Sequence, residues 1–143
     1  MDIGQLIASR NASAILTCDV GQTMRDAIAI LAEKRIGALP VMQSGQVAGI
    51  FSERDVIYCM AQQGPSCLDR PVREVMTAPA ITVDRSEKVD AALSLMTRRR
   101  IRHLPVVEDG ALIGFVSIGD LVKSRFDEVQ QEAQDMRSYI QTA

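Results

Sequence analysis

Tryptophan is absent from this 143-residue chain, and aromatic residues make up only 3% of it. The core therefore has to be built from Ile, Leu, Val, Met and Ala. There is one histidine, His103, and there are three cysteines, Cys18, Cys59 and Cys67, without a C-x-x-C pair. An odd cysteine count with no paired spacing argues against a disulfide framework. A lone histidine beside them argues against a structural zinc site, so no metal and no cofactor is expected. No apolar run approaches the roughly 18 residues that span a bilayer. The opening residues, MDIGQLIASR, lack the basic and then apolar regions of a secretory signal. A basic surplus is missing too: 16 Lys and Arg against 18 Asp and Glu give a net charge of −2. Little is left to neutralise a phosphate backbone, which argues against nucleic acid as a partner. Together these absences point to a cytoplasmic protein with reduced thiols and no membrane contact.

What is present is an ordinary globular composition, 47% hydrophobic and 24% charged, and within it an internal duplication. The segment IGALPVMQSGQVAGIFSERDV from Ile36 aligns without a gap, at an offset of 65, on IRHLPVVEDGALIGFVSIGDL from Ile101. Identities fall at Ile36/Ile101, Leu39/Leu104, Pro40/Pro105, Val41/Val106, Gly45/Gly110, Gly49/Gly114, Ser52/Ser117 and Asp55/Asp120. Average composition would give about one or two matches by chance in such a window. Upstream, the stretch from Asp26 corresponds to the stretch from Asp90 once one residue is inserted.

Each copy reads as strand, helix, strand, strand, helix, an α/β (α+β) unit. Residues Ala14–Thr17 and Ala80–Val83 are expected to be short extended pieces. Thr23 and Ser86 are expected to be the N-caps of the helices that follow. Met24, Ala27, Ile28 and Leu31 in one copy, and Val89, Ala92, Leu93 and Met96 in the other, recur at helical spacing. A strand beginning at Leu-Pro-Val follows, then a hairpin turn at Ser44-Gly45 or Asp109-Gly110. The return strands, Val47–Phe51 and Leu112–Val116, lead into helices over Glu53–Met60 and Ile118–Phe126. One unit of about 60 residues buries too little to be comfortable alone. Two units sharing an interface solve that, with Gly64-Pro65 and Arg70-Pro71 punctuating the connection. The expected organisation is 1–72, 73–124 and a helical tail, 125–143.

The ordered set hydrophobic-Pro-Val, Gly, Gly-hydrophobic-hydrophobic-Ser-x-x-Asp, present twice, resembles the cystathionine-β-synthase-type (CBS) domain. Val75-Met76-Thr77 is similar to the start of a second such domain. The resemblance covers residues 12 to 123, and it is nearest to small stand-alone CBS pairs, or Bateman modules. It implies two β-α-β-β-α units packed as a pseudo-twofold pair and no catalytic activity. It also implies a homodimer and an adenine ligand (AMP, ATP, an NAD-type dinucleotide or S-adenosylmethionine) in clefts between the repeats.

The Ser-x-x-Asp chemistry is intelligible on its own. Ser52 and Ser117 stand where a strand turns into a helix, at free backbone N–H groups and the positive end of the helix dipole, a ready anion site. Asp55 and Asp120, three residues on, can accept both hydroxyls of a ribose, as an acidic residue does in dinucleotide folds; the resemblance assigns them that role. The competing reading is a capping box, Ser at the N-cap and an acid at N3. By resemblance, Leu39, Pro40, Leu104 and Pro105 would wall the purine, against the alternative of plain core packing. Backbone near Thr17 and Thr82 would read the adenine edge, and Arg102 with His103 would hold phosphate. The first copy has Gly37 and Ala38 at those last positions and carries Arg54 within Ser-Glu-Arg-Asp instead. One cationic clamp per site, differently placed, is the expectation.

In the tail, Phe126, Val129, Ala133, Met136 and Ile140 follow 3-4-3-4 spacing, a coiled-coil-like stripe that could pack on its own domain or on a partner subunit. The leading function is a regulatory module read by an unidentified protein. A structural dimerisation module without a ligand, a nucleotide-processing enzyme and a DNA-binding regulator are the alternatives. An enzyme would need a base with a positioned partner, which the sequence does not offer.

Overall fold

The computed structural model describes residues 1–8 and 15–142. The described elements are α1 (Ile3–Ala8), β1 (Cys18–Asp19), α2 (Met24–Lys34), β2 (Ala38–Gln43), β3 (Gln46–Ser52) and α3 (Glu53–Gln63). A 3-10 turn (Gly64–Asp69) and α4 (Val72–Val75) connect them to α5 (Val89–Arg99), β4 (His103–Glu108), β5 (Ala111–Ser117) and α6 (Ile118–Thr142). In the first repeat β1 runs parallel to β2, and β2 pairs antiparallel with β3. In the second, β4 and β5 form the equivalent hairpin.

The duplication extends to irregularities of the backbone. Arg35 and Arg100, 65 apart, both end their helices in the left-handed conformation, with φ of 54° and 56°. Both hairpins shift register at the same place, between Val41 and Met42 and between Val106 and Val107. Both turns carry two positive φ angles, 52° and 79° at Ser44-Gly45 and 51° and 80° at Asp109-Gly110. That is the requirement of the tight hairpin turn whose twist matches its strands.

Three expectations shift. The first strand lies at Cys18–Asp19, just beyond the expected Ala14–Thr17, of which Ala14 falls outside the described residues. In the second repeat, only Val83 of Ala80–Val83 pairs, bridging in parallel to Val106. Its N–H donates to the Pro105 carbonyl (3.1 Å), and its own carbonyl accepts from Val107 N–H (2.9 Å). Cys18 pairs with Val41 at the same offset. Thr23 caps α2, exchanging bonds with Asp26 (3.2 and 3.4 Å), but the N-cap of α5 is Lys88, not Ser86. Ser86 is drawn into a turn by Asp84, whose carboxylate accepts from both its N–H and its hydroxyl.

Two apolar cores result, one per repeat. The first gathers Met24, Leu31, Leu39, Val41, Phe51 and Val72; the second gathers Ile3, Val89, Met96, Leu104, Val106, Val116 and Leu121. The cores are interlaced. Helix α1 precedes the first repeat but buries Ile3 and Ile7 in the second core. Helix α4 precedes the second repeat but buries Val72 in the first. Asp2 and Gln5 cap α1 reciprocally (2.8 and 2.9 Å). The chain comes so close at Gly49 that a Cβ there would stand 2.7 Å from the Thr77 carbonyl oxygen. The sheets meet through β3 and β5, and cavities open between the repeats.

Candidate functional site

Two cavities lie between the repeats, and each holds one Ser-x-x-Asp. The first, about 500 Å³, has Ser52, Arg54 and Asp55 on one side and Arg102 and His103 on the other. The second, about 880 Å³, has Ser117 and Asp120 facing Gly37 and Ala38. Both volumes suit a small organic ligand.

Capping and site geometry coexist. Asp55 Oδ2 accepts from the Ser52 N–H (2.8 Å) and from the Ser52 hydroxyl (3.2 Å), closing the first turn of α3. Asp55 Oδ1 accepts from the Thr77 hydroxyl at 2.9 Å. Thr77 is fixed there by a two-way backbone pairing with Ile50, 2.9 Å in each direction. Each carboxylate oxygen of Asp55 thus holds one hydroxyl donor. Asp120 accepts from the Ser117 N–H (2.8 Å) and returns its own N–H to the Ser117 hydroxyl (3.1 Å), a reciprocal capping box.

The cations are distributed differently from the expected one clamp per site. Arg54 and Arg102 line the same cavity, that of Asp55. The reason is the pairing of the repeats, which sets the N-terminus of α3 against the start of β4. Arg54 reaches across it and donates to the Arg100 carbonyl at 2.9 Å, at the left-handed end of α5. Among the described residues around the Asp120 cavity, Arg85 is ion-paired with Glu108 at 3.5 Å. His103 lines both cavities and stacks on Phe115, with centroids 5.4 Å apart and rings 13° from parallel. Burial pushes its pKa below the ordinary histidine value, and Arg102 pushes the same way; Asp120 and Glu53 oppose the shift.

Six of the expected site residues lie away from the cavity walls. Leu39 and Leu104 are fully buried and Pro40 and Pro105 are buried beside them, so these four pack the cores and stand outside both linings. Each lies on a strand covered on both faces. Thr17 and Thr82 stay outside both linings, where the residues just before them, Leu16 and Ile81, stand instead. The apolar walls come from side chains outside the expected site residues: Ile57, Tyr58 and Ile101 in one cavity, Ile36, Ile113 and Phe115 in the other. Tyr58 could have been suspected, since it sits one helical turn after Arg54 on the same face of α3. Thr77 is the polar residue most plainly missed. Its Val-Met-Thr context marked a boundary, but nothing local tied it to Asp55.

Among the described residues no three His, Cys, Asp or Glu side chains come together as a metal site, and no helix is long and apolar enough to cross a membrane.

Comparison with known proteins bears on the fold. The CBS domain family matches residues 7–62 and 72–127. The CBS domain-containing protein CBSX3, mitochondrial, of Arabidopsis thaliana is 40% identical over 131 residues, covering 88% of this chain. The chain spans only 64% of that relative's length. The solved structure of a putative signal-transduction protein with CBS domains from Burkholderia ambifaria is 40% identical, with a TM-score of 0.80 over 87% of this chain and 93% of that one. A structure of CBSX2 in complex with AMP shares the fold at 24% identity, with a TM-score of 0.73 over 88% and 96% of the two chains.

Proposed function

The chain belongs to the CBS domain family, and we propose that it is a non-catalytic regulatory module that binds an adenine nucleotide between its repeats. The observation that carries this reading is the pair of hydroxyl donors on Asp55, one on each carboxylate oxygen. A ribose presents two neighbouring hydroxyls, and in replacing Ser52 and Thr77 as donors it would keep both oxygens satisfied. A phosphate leaving that ribose would meet Arg102, Arg54 and the N-terminus of α3, where two cations and the positive end of the helix dipole converge. The base would lie against Ile57, Tyr58 and Ile81. That CBSX2 holds AMP on the same fold is in keeping with this reading. Ser117 and Asp120 offer a second ribose site in the other cavity, with His103 in the wall between them.

A ligand can act only through different affinities for two states of the module or its assembly, so the output is read by another protein or by the oligomer. A cytoplasmic location is part of the same proposal. The test is calorimetric titration with AMP, ATP, NAD, S-adenosylmethionine and adenosine. AMP should bind more tightly than adenosine, and Arg102→Ala should weaken AMP by about tenfold or more while leaving adenosine almost unchanged. If none of the five binds, the module is a structural one and the nucleotide reading fails.

A further inference from the structure

Helix α6 outruns the body it belongs to. Leu121 and Ser124 are buried and Glu128 is half-buried, and these three form its body-facing strip. Beyond Ser124, residues 125–142 advance about 27 Å at 1.5 Å per residue, with every side chain but that of Glu128 exposed. Among those are Phe126, Val129, Met136 and Ile140, at 58%, 48%, 63% and 68% exposure. Val122, 53% exposed, and Ala133 extend the same stripe. At 100° per residue the stripe is centred roughly 125° around the helix from the body-facing strip. One helix can therefore hold its own body and a second surface at once. A single helix projecting into water gains little from propensity and draws its stability from an apolar face that is covered.

The charges beside the stripe say what covers it. The 3-4 spacing puts Phe126, Ala133 and Ile140 at heptad position a and Val122, Val129 and Met136 at position d. Glu132 then falls at g and Arg137 at e. In a parallel pair of helices in register, a g residue meets the e residue five positions on in the other strand. That sets Glu132 against the partner's Arg137, twice by the twofold symmetry of a homodimer. Neither side chain has an ion pair within the described chain. An antiparallel pair sets g against g and e against e, and loses the match.

We infer that α6 pairs with α6 of a second copy as a parallel, in-register two-stranded coil, its seam running from Val122 to Ile140 and its register set by Glu132 and the partner's Arg137. This inference is independent of the nucleotide reading.

Cross-linking of the full chain tests it. All three native cysteines are buried, so an introduced thiol reports alone. Ala133 faces its own counterpart across a parallel seam, whereas Gln131, at position f, points outward. Ala133→Cys should form a covalent dimer under mild oxidation much faster than Gln131→Cys. In light scattering, Glu132→Arg or Arg137→Glu alone should weaken the dimer about tenfold, the scale of two exposed ion pairs reversed. The double reversal should restore it. Equal cross-linking at the two positions, or no recovery in the double variant, would overturn the inference, as would an undiminished dimer after truncation beyond Ser124. All of these residues are exposed, and unchanged helical circular dichroism checks that each variant is folded.

Discussion

Replacing Asp55 with Asn separates its two duties, capping α3 and holding a ligand. In the folded chain the carboxylate accepts three hydrogen bonds, from the Ser52 N–H, the Ser52 hydroxyl and the Thr77 hydroxyl. Asn keeps one oxygen, enough to retain the Ser52 N–H, the bond on which the first turn of α3 depends. The amide nitrogen replaces the other oxygen, and the Thr77 hydroxyl can rotate from donor to acceptor. What the fold loses is chiefly a negative charge at a helix N-terminus, about 0.3–1 kcal/mol. A ribose diol loses more, because one of its hydroxyls must turn from donor to acceptor and the other donates to a neutral amide instead of a charged carboxylate. A hydrogen bond to a charged group contributes about 1.5–3 kcal/mol, so affinity for AMP should fall by about 10- to 150-fold. Urea denaturation without ligand measures the first quantity and calorimetric titration the second. A folded Asn variant that binds AMP within about threefold of the unaltered protein would refute the reasoning and leave Asp55 a cap alone. Asp55→Ala is a poorer probe, since it removes all three bonds and confounds stability with binding.

Other expected outcomes follow from the same geometry. Gly49→Ala would force a Cβ onto the backbone oxygen of Thr77 and should cost about 1–3 kcal/mol by overpacking. Gly114→Ala meets side chains and no backbone, Ile7 at 3.0 Å and Val106 at 3.5 Å, and should cost less; thermal melts of the two compare them directly. Burial pushes the Cys18 thiol up to about 11, and Cys59 and Cys67 are buried too. Thiolate is the reactive form, so Ellman's reagent should label the native protein slowly and the urea-unfolded protein at once. His103 has a folded pKa below its unfolded value, so the unfolded chain binds the proton more readily. Its contribution to stability is therefore present above about pH 6.5 and is lost as the pH falls through and below that value. The urea midpoint should drop over that window by less in His103→Gln than in the unaltered protein.

Much of this architecture was legible because the chain states it twice. The hairpins could be read from Ser44-Gly45 and Asp109-Gly110, since few other pairs accept two positive φ angles. Ser52 and Asp55 could be read as both cap and site, and the structure shows the capping contacts and the cavity position together. Long-range placement was not legible. Leu39 and Pro40 were expected by resemblance to wall a ligand, against the alternative of core packing; both are buried, on a strand buried at four successive positions. Nothing local to Arg54 or Arg102 reveals that they share a cavity; that follows from how one repeat is laid against the other. Ser86 was the better intrinsic cap, but Asp84 captured it first. Helix α1 and the core it enters were not read from the sequence either, because its burial depends on contacts with residues more than 80 positions away.

The exchange of α1 and α4 between the two cores bears on the order in which the protein can be made. Residues 3–7 leave the ribosome before any of their partners, Val89, Val106 and Leu121 among them, so Ile3 and Ile7 must wait through the synthesis of an entire repeat before they have anywhere to go. The first repeat, in turn, is not closed until Val72 has emerged. From then on the first core can close while the second repeat is still being translated, but the second must wait for Leu121, and its assembly joins segments about a hundred residues apart, the kind of distant contact that slows folding.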